Sequence, residues 1–233
     1  MKLSIIIPCY NEIGTIEEII NKILILRDIN KEIIVVDDFS NDGSRELLEN
    51  KLKKNIDILI LNKKNYGKGY CIIQAKKHIK GDIIVIQDAD LEYEPNDYYK
   101  LIDPIIKNQS KVVYGSRVLG QKSRYYLKNF SGRSRIFFNH MLTVFSNIIN
   151  SQNLTDAHTC YKVISREVFD KIELKEHSFS FCPEITTKIA KLKINILEKP
   201  INYNGREYKA GKKIKFIDGI IAIKALIKYR FFN

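Results

Sequence analysis

The chain has 233 residues, of which 45% are hydrophobic, and its 39 Lys and Arg against 27 Asp and Glu give a formal net charge of +12. This size suits one large domain with a substantial core. The charge favours partners that carry phosphate, namely nucleotides, nucleic acid or an anionic membrane surface. An AT-rich genome, which enriches Lys, Ile and Asn, would account for part of the same bias.

The four cysteines lie far apart and form no Cys-x-x-Cys pair, which argues against a zinc site and indicates free thiols in a reducing compartment. The amino terminus leads directly into an apolar run without the features of a signal peptide. No stretch reaches the roughly 20 apolar residues that span a bilayer. We therefore expect a cytoplasmic protein that attaches peripherally to the cytoplasmic face of a membrane.

Strands and helices alternate along the chain. Short continuous apolar runs predict buried strands, and apolar residues at helical spacing predict the helices. We expect strands at 3–7, 33–36, 56–61, 83–86, 112–117 and 194–197, helices from 15 and from 44, and helices at 70–78, 96–108, 136–149, 179–191 and 216–231. Residues 120–135 have the composition of a basic loop.

Right-handed crossovers between these elements give an α/β fold, a mostly parallel central sheet with helices on both faces, followed by a C-terminal amphipathic helix. We expect one domain over 1–233, with a nucleotide-sugar-binding half at 1–118, an acceptor-binding half at 119–215 and the last helix at 216–233.

Polar or glycine-rich motifs follow four of the predicted strands, at 8–12, 37–42, 67–69 and 88–92. In parallel sheets, ligands bind beyond the carboxyl ends of the strands, so these motifs are expected on one rim. One acidic turn in solvent would be ordinary, but four polar loops on the same edge predict a nucleotide site.

Asp88 and Asp90 follow the most apolar of these strands, and Glu92 comes two residues later. Alternate strand residues project to one side, so Asp88 and Asp90 would repel each other unless a cation lies between them. Oxygen ligands favour Mg²⁺ or Mn²⁺, ions that typically hold a diphosphate.

With these motifs the chain resembles family 2 glycosyltransferases of GT-A fold, in particular the polyprenyl-phosphate branch that includes dolichol-phosphate mannose synthases. The matching stretches are 8–12, 36–43, 67–69, 88–92, 115–117, 155–156 and 206–213. The resemblance covers nearly the whole chain. Its amino-terminal motifs are specific for the fold, and the later ones indicate the branch.

The resemblance implies roles for individual residues. Pro8, Tyr10, Glu12 and Asp38 would hold the base and ribose, Asp88, Ala89 and Asp90 would meet the diphosphate, and Arg206 and Lys213 would close over it from a loop. Asp90 and Glu92 would bind the metal, although the family often has Gln at the second position. Asp88, Asp90 and Arg117 are the expected catalytic residues.

By the same resemblance, Arg117 and Arg135 would receive the acceptor phosphate, and Asn139 stands where mannose synthases have a Ser. A lipid phosphate is already ionised at neutral pH, so the acceptor site needs cations rather than a general base. Alternatively, Arg117 forms a structural ion pair with a nearby Asp, and His158 is a general base or a structural histidine.

Three functions stay open from the sequence. The first is metal-dependent, inverting transfer of a sugar from GDP-mannose or a UDP-hexose to a dolichyl or undecaprenyl phosphate. The second uses a saccharide hydroxyl as the acceptor, which requires a carboxylate base such as Asp156 or Glu184. The third is a basic membrane- or nucleic-acid-binding module with an inactive nucleotide site. For the transferase, no nucleic-acid partner is expected.

The apolar helix at 136–149 and the basic last helix suggest contact with a membrane surface. Such a helix is otherwise buried in the core.

Overall fold

A computed structural model describes the backbone of residues 1–120, 130–205 and 216–232, and the side chains of these residues except 130–135 and 216–218. Its strands are β1 Leu3–Cys9, β2 Lys31–Asp37, β3 Ile58–Leu61, β4 Ile83–Ile86, β5 Val112–Ser116, β6 Lys162–Ser165 and β7 Leu197–Pro200. Its α-helices are α1 Ile16–Leu24, α2 Ser44–Leu47, α3 Lys68–Lys76, α4 Tyr98–Ile106, α5 Arg117–Gly120, α6 Phe130–Asn150, α7 Arg166–Lys171, α8 Phe181–Lys191 and α9 Phe216–Phe231.

The strands form one sheet with the order β3-β2-β1-β4-β6-β5-β7. Strand β6 pairs antiparallel with both of its neighbours, and the other pairs are parallel. Every residue of β4 is buried, as is nearly every residue of β1 and β2. Because neighbouring strand residues face opposite sides, helices must cover both faces of the sheet. The predicted α/β fold is confirmed.

Only the strand at 83–86 has the predicted bounds among the six that were expected: β1 and β2 are longer than predicted, β3 begins at Ile58 rather than at 56, and the last two strands differ as follows. The strand expected at 112–117 ends at Ser116, because the Ser116 hydroxyl accepts the backbone N–H groups of Val118 and Leu119 and so begins α5. The strand expected at 194–197 lies instead at Leu197–Pro200. Residues 192 and 193 form the turn that follows α8, and the N–H of Ile194 bonds back to the carbonyl of Ile189 in that helix.

The basic loop expected at 120–135 is wrong over residues 130–135, because α6 already begins at Phe130. Arginine is a good helix former, so the basic residues at 133 and 135 are compatible with a helix. Helix α9 has the bounds that the sequence predicts. Among the described residues, no helix is both long enough and apolar enough to cross a membrane.

Candidate functional site

The topology brings several loops to one edge of the sheet. Strands β1, β2 and β4 are parallel, so the loops after them meet at their carboxyl ends. Strand β5 runs in the same direction as β4, because both are antiparallel to β6. Residues after β5 and before β6 therefore lie at this edge, together with those after β7. We call this edge the rim.

Asp38 organises the loop that leads into α3. One oxygen of its buried carboxylate accepts the side-chain amide of Asn62 at 2.7 Å and the N–H of Tyr66 at 3.0 Å, and the other accepts the N–H of Gly67 at 2.7 Å. The carboxylate thus accepts hydrogen bonds from backbone N–H groups of this turn that would otherwise lack a partner within the protein. Its predicted contact with the nucleoside stays a prediction.

The loop after β1 is fixed to the loop after β2. The backbone N–H of Glu12 donates to the Ser44 hydroxyl at 2.9 Å, and the Glu12 carboxylate accepts the Thr15 hydroxyl at 3.1 Å. Glu12 is buried, whereas Pro8 and Tyr10 are half-buried. These three residues lie at the rim, as predicted, on the β1 side of Asp38.

Lys68 reaches from the start of α3 to the end of β4. Its ammonium group forms an ion pair with the Asp88 carboxylate and lies 2.6 Å from the sulfur of Cys160. The start of α3 is held close to residues 176–177, because a Cβ at Gly69 would collide with the carbonyl of Glu176 and the N–H of Tyr70 bonds to His177. The fixed backbone at the start of α3 therefore directs the Lys68 side chain across the rim.

This ion pair sets the charge of Asp88. Burial on its own would raise the pKa of the Asp88 carboxyl, but the adjacent Lys68 ammonium outweighs burial and lowers it. Burial likewise opposes the charge of Lys68, and Asp88 raises the pKa of Lys68 well above its ordinary value. Burial and the Asp88 charge raise the pKa of the Cys160 thiol, so the thiol stays protonated at neutral pH.

Asp90 and Glu92 continue the acidic segment after Ala89, which is buried. The N–H of Glu92 donates to the Asp90 carboxylate at 3.2 Å, and the Glu92 carboxylate accepts the Tyr203 hydroxyl at 2.7 Å. In the part of the chain that the structure describes, no group of three or more His, Cys, Asp or Glu is arranged to hold a metal. Magnesium commonly binds through one or two carboxylates plus substrate phosphates, so these oxygen ligands fit such an ion.

Arg117 forms a bidentate ion pair with Asp156. Its Nε and Nη2 donate to the two carboxylate oxygens at 2.6 and 2.8 Å, and its backbone N–H donates to the same group at 3.1 Å. Asp156 is fully buried, while the Arg117 side chain is 13% exposed and lies over the ring of Tyr203. The structure thus shows the ion-pair alternative for Arg117, whose side chain keeps a small exposed part.

Helix α6 holds the segment that carries Asp156. Asn147 exchanges two hydrogen bonds with the backbone of Leu154, at 2.8 and 3.0 Å. The hydroxyl of Thr143 accepts the N–H of Ala157, and the Asn139 amide reaches an Asp156 oxygen at 3.4 Å. Arg117 and Asn139, both predicted for the acceptor phosphate, therefore meet at Asp156.

Two further basic groups lie behind this segment. Lys162 is fully buried, donates to the carbonyls of Ala157 and Thr159, and lies 4.3 Å from the Tyr114 ring centre. Burial and the nearby Lys162 charge lower the pKa of His158 to about 4. A neutral imidazole whose Nε2 is buried favours the structural interpretation of His158 over a general base.

Some predicted site residues lie outside what the structure describes: Arg206 and Lys213 entirely, and the side chain of Arg135. Sequence reasoning placed Lys68 in a rim motif without giving it a role, and it missed Tyr203; both contact the acidic segment. The signal for Lys68 was its position between two glycines at a helix start, and the signal for Tyr203 was its place directly after the last strand.

Comparison with known proteins places the chain in a family. The profile described as glycosyl transferase family 2 matches residues 4–173. The chain is 30% identical over 195 residues to the dolichol-phosphate mannosyltransferase of Pyrococcus furiosus, covering 81% of this chain and 53% of that protein. The chain thus spans about half the length of that relative.

The UDP-N-acetylglucosamine–dolichyl-phosphate N-acetylglucosaminyltransferase of Methanococcus voltae is 29% identical over 229 residues, covering 90% of this chain and 88% of that protein. Among solved structures, glucosyl-3-phosphoglycerate synthase of Mycobacterium tuberculosis with Mn²⁺ and UDP-glucose superposes with a TM-score of 0.70. It is 16% identical and covers 98% of this chain and 79% of its own, a likeness that shows the fold. Profile, relatives and sheet topology agree that the chain belongs to glycosyl transferase family 2 and has the GT-A fold.

Proposed function

We propose that the chain moves a sugar from a nucleotide-diphosphate sugar, such as GDP-mannose or a UDP-hexose, to a polyprenyl phosphate. The donor would lie along the rim, with its nucleoside near Pro8, Tyr10, Glu12 and Asp38 and its diphosphate near Asp88, Ala89 and Asp90. The relatives named for dolichyl-phosphate transfer support this acceptor class. In this proposal residues 1–118 mainly serve the donor and residues 119–215 mainly the acceptor, with Arg117 on the acceptor side and Arg206 and Lys213 on the donor side as exceptions.

The observation that carries the proposal is the state of the two candidate bases. Asp156 is bound on both oxygens by Arg117. Glu184 is fully buried and accepts hydrogen bonds from the backbone of Lys175 and Glu176 and from the Lys188 ammonium. A saccharide hydroxyl needs a free carboxylate to take its proton, whereas a phosphate oxygen attacks without one. These contacts therefore favour the phosphate acceptor.

In the proposed reaction, a phosphate oxygen of the acceptor forms a bond to the anomeric carbon of the sugar, and the bond from that carbon to the nucleoside diphosphate breaks. Attack from the opposite face inverts the anomeric centre. Arg117, with Arg135 and Asn139, would hold the attacking phosphate, because guanidinium groups match phosphate oxygens. Arg206 and Lys213 would contact the departing diphosphate.

Asp90 and Glu92 would hold Mg²⁺ or Mn²⁺. The ion would supply positive charge that offsets the charge gathering on the diphosphate as it departs. Lys68 adds a fixed positive charge on the other side of Asp88.

The test is transfer of labelled sugar from GDP-mannose, UDP-glucose and UDP-N-acetylglucosamine to undecaprenyl and dolichyl phosphate, with Mg²⁺ or Mn²⁺. We expect label in the organic phase with at least one donor. The Asp90→Asn variant should lose activity by about 10²–10³-fold, as when one charge-stabilising group is removed. Asp103→Asn, which removes an exposed carboxylate on α4, is the matched control and should stay active.

Other outcomes decide between the functions. Label only in water-soluble or glycan-linked product would favour the hydroxyl acceptor. Nucleic-acid or membrane binding that Asp90→Asn leaves unchanged, without transfer from any donor, would favour a binding module.

A further inference from the structure

Helix α6 has polar residues at its buried positions and large apolar residues at its exposed positions. Its buried positions hold the polar residues Thr143, Ser146 and Asn150. Thr143 accepts the N–H of Ala157, and the Asn150 amide donates to Ser146 and to Thr187 of α8. Its exposed positions hold large apolar side chains: Phe137 at 58% exposure, Met141 at 50%, Val144 at 38% and Ile148 at 74%. A surface helix normally has the opposite arrangement.

Helix α9 lies beside α6 and runs in the same direction. Gly219 near its start lies next to Leu142 of α6, and Arg230 near its end lines one cleft together with Asn150. Helix α9 also exposes apolar residues at helical spacing, namely Ile220, Ile223, Ile227 and Phe231. The apolar residues exposed by the two helices form what we call the α6–α9 face.

Positive charge borders the α6–α9 face. The cleft at the carboxyl ends of both helices is lined by Lys191, Lys193 and Arg230, and Lys224 is exposed on α9 between the isoleucines. The chain as a whole carries a net charge of +12. An apolar strip with a cationic border matches the interface of a bilayer that contains anionic lipid.

We propose that the α6–α9 face is the surface by which this chain lies on an anionic bilayer. A second copy of the chain is the poorer occupant, because two cation-bordered faces repel each other, whereas anionic lipid attracts both. The inference deepens the proposed function and rests on it for its purpose, since a polyprenyl phosphate is confined to a bilayer.

The same helix connects this face to the acceptor side of the rim. Asn139 on α6 contacts Asp156 at the rim, and Asn150, eleven residues later, lines the cationic cleft. This span is about 16 Å of helix. A bilayer against α6 would therefore border the Arg117–Asp156 pair, where a lipid phosphate could be held while its hydrocarbon stays in the membrane.

The test is co-flotation with vesicles of phosphatidylcholine containing phosphatidylglycerol, without donor or acceptor. The wild-type chain should float with these vesicles, and binding should weaken as salt is raised. The triple variant Phe137→Ser, Met141→Ser and Ile148→Ser should bind about tenfold or more weakly, because it removes three apolar side chains from the interface. Ile25→Ser with Ile106→Ser, which removes exposed apolar residues from just after α1 and from the end of α4, should bind as the wild type does.

Two further readouts guard against misfolding. The chain contains no Trp, so a Phe137→Trp variant carries a unique fluorophore whose emission should shift to shorter wavelength with vesicles. Lys193→Glu with Lys224→Glu should weaken binding to phosphatidylglycerol vesicles and leave the melting temperature unchanged. The proposal would be overturned if the wild-type chain does not bind the vesicles, or if the triple variant floats as well as the wild type. It would also be overturned if the wild-type chain forms a dimer that does not bind lipid and that the triple substitution dissociates.

This experiment fails separately from the proposed function. A chain that floats with vesicles yet transfers no sugar overturns only the transfer. A chain that glycosylates a short, water-soluble polyprenyl phosphate yet ignores vesicles overturns only the docking surface.

Discussion

The proposed function assigns Asp38, Asp88 and Asp90 to the donor and the Arg117–Asp156 pair with Asn139 to the acceptor, and these two parts of the rim, here called the donor side and the acceptor side, are built in different ways. On the donor side, Asp38, Asp88 and Asp90 each come within four residues of the end of a parallel strand. On the acceptor side, Arg117 takes its partner Asp156 from 39 residues further along the chain, and Asn139 reaches the same carboxylate from a separate helix. One side is local in sequence, and the other depends on tertiary contacts.

The two sides also differ in how their charges are balanced. Asp88 is paired with Lys68, but both side chains keep some exposure, at 20% and 13%. Asp156 is fully buried, and Arg117 donates hydrogen bonds to both oxygens of its carboxylate. The backbone N–H of Asp156 donates to the carboxylate of Glu198. The Asp88 carboxylate therefore keeps contact with solvent, whereas the Asp156 carboxylate has none. The following predictions test this difference.

The largest expected effect comes from breaking the acceptor-side pair. Asp156→Ala leaves the Arg117 charge mostly buried and unpaired, which typically costs about 3–5 kcal/mol in free energy of unfolding. Urea unfolding measures the loss, and donor binding to the folded fraction should persist, because the donor side does not depend on this pair. Glu167→Gln, which breaks exposed pairs with Lys111 and Lys171, is the control and should unfold as the wild type does.

A small loss for Asp156→Ala would mean that Arg117 is not held by this pair. Equal loss of donor binding would mean that the two sides form one unit, and the contrast drawn above would be wrong.

Lowering the pH should destabilise the folded chain by protonating His158. Its pKa is about 4 in the folded chain against 6.5 in the unfolded one, so between these values the unfolded state binds more protons. Stability contributed by the neutral imidazole is present above about pH 6.5 and is lost as pH falls toward 4, by up to about 3 kcal/mol. His158→Gln should flatten this part of the stability–pH curve, as measured by unfolding at several pH values.

The exposed His78 gives the matched control, since His78→Gln should leave the curve unchanged. If His158→Gln and wild type lose stability in parallel between pH 6.5 and 4, the imidazole is not the group that acid protonates.

The contrast also explains what the sequence could predict. The donor side follows from strands whose apolar runs are unbroken, such as Ile83–Ile86, and from polar residues directly after them. Strand direction then fixes which loops meet, so the rim could be predicted without tertiary information. The specific contacts of Pro8, Tyr10, Glu12 and Asp38 with a nucleotide stay predictions.

The acceptor side could be predicted only in part. The start of α6 was missed because basic residues were interpreted as a loop, and β7 was placed too early because the apolar Ile194 and Ile196 lie in the connection between α8 and the strand. The inward direction of the polar side of α6 depends on the partners at 154–157, which no local pattern reveals. The roles of Arg135, Arg206 and Lys213 stay predictions.

The prediction with the smallest expected effect concerns the balance of charge on the donor side. Lys68 places a positive charge against Asp88, so it competes with a divalent ion for the field of Asp88 and Asp90. Lys68→Met should therefore tighten binding of Mn²⁺ alone by about fivefold, which corresponds to roughly 1 kcal/mol of screened repulsion. Calorimetry near pH 8, at which carboxylates stay ionised, measures this. Lys68→Arg keeps the charge and is the control, expected to bind Mn²⁺ as the wild type does. Weaker Mn²⁺ binding in Lys68→Met would mean instead that Lys68 mainly holds the Asp88 carboxylate in place, and that the donor side is as dependent on a fixed pair as the acceptor side.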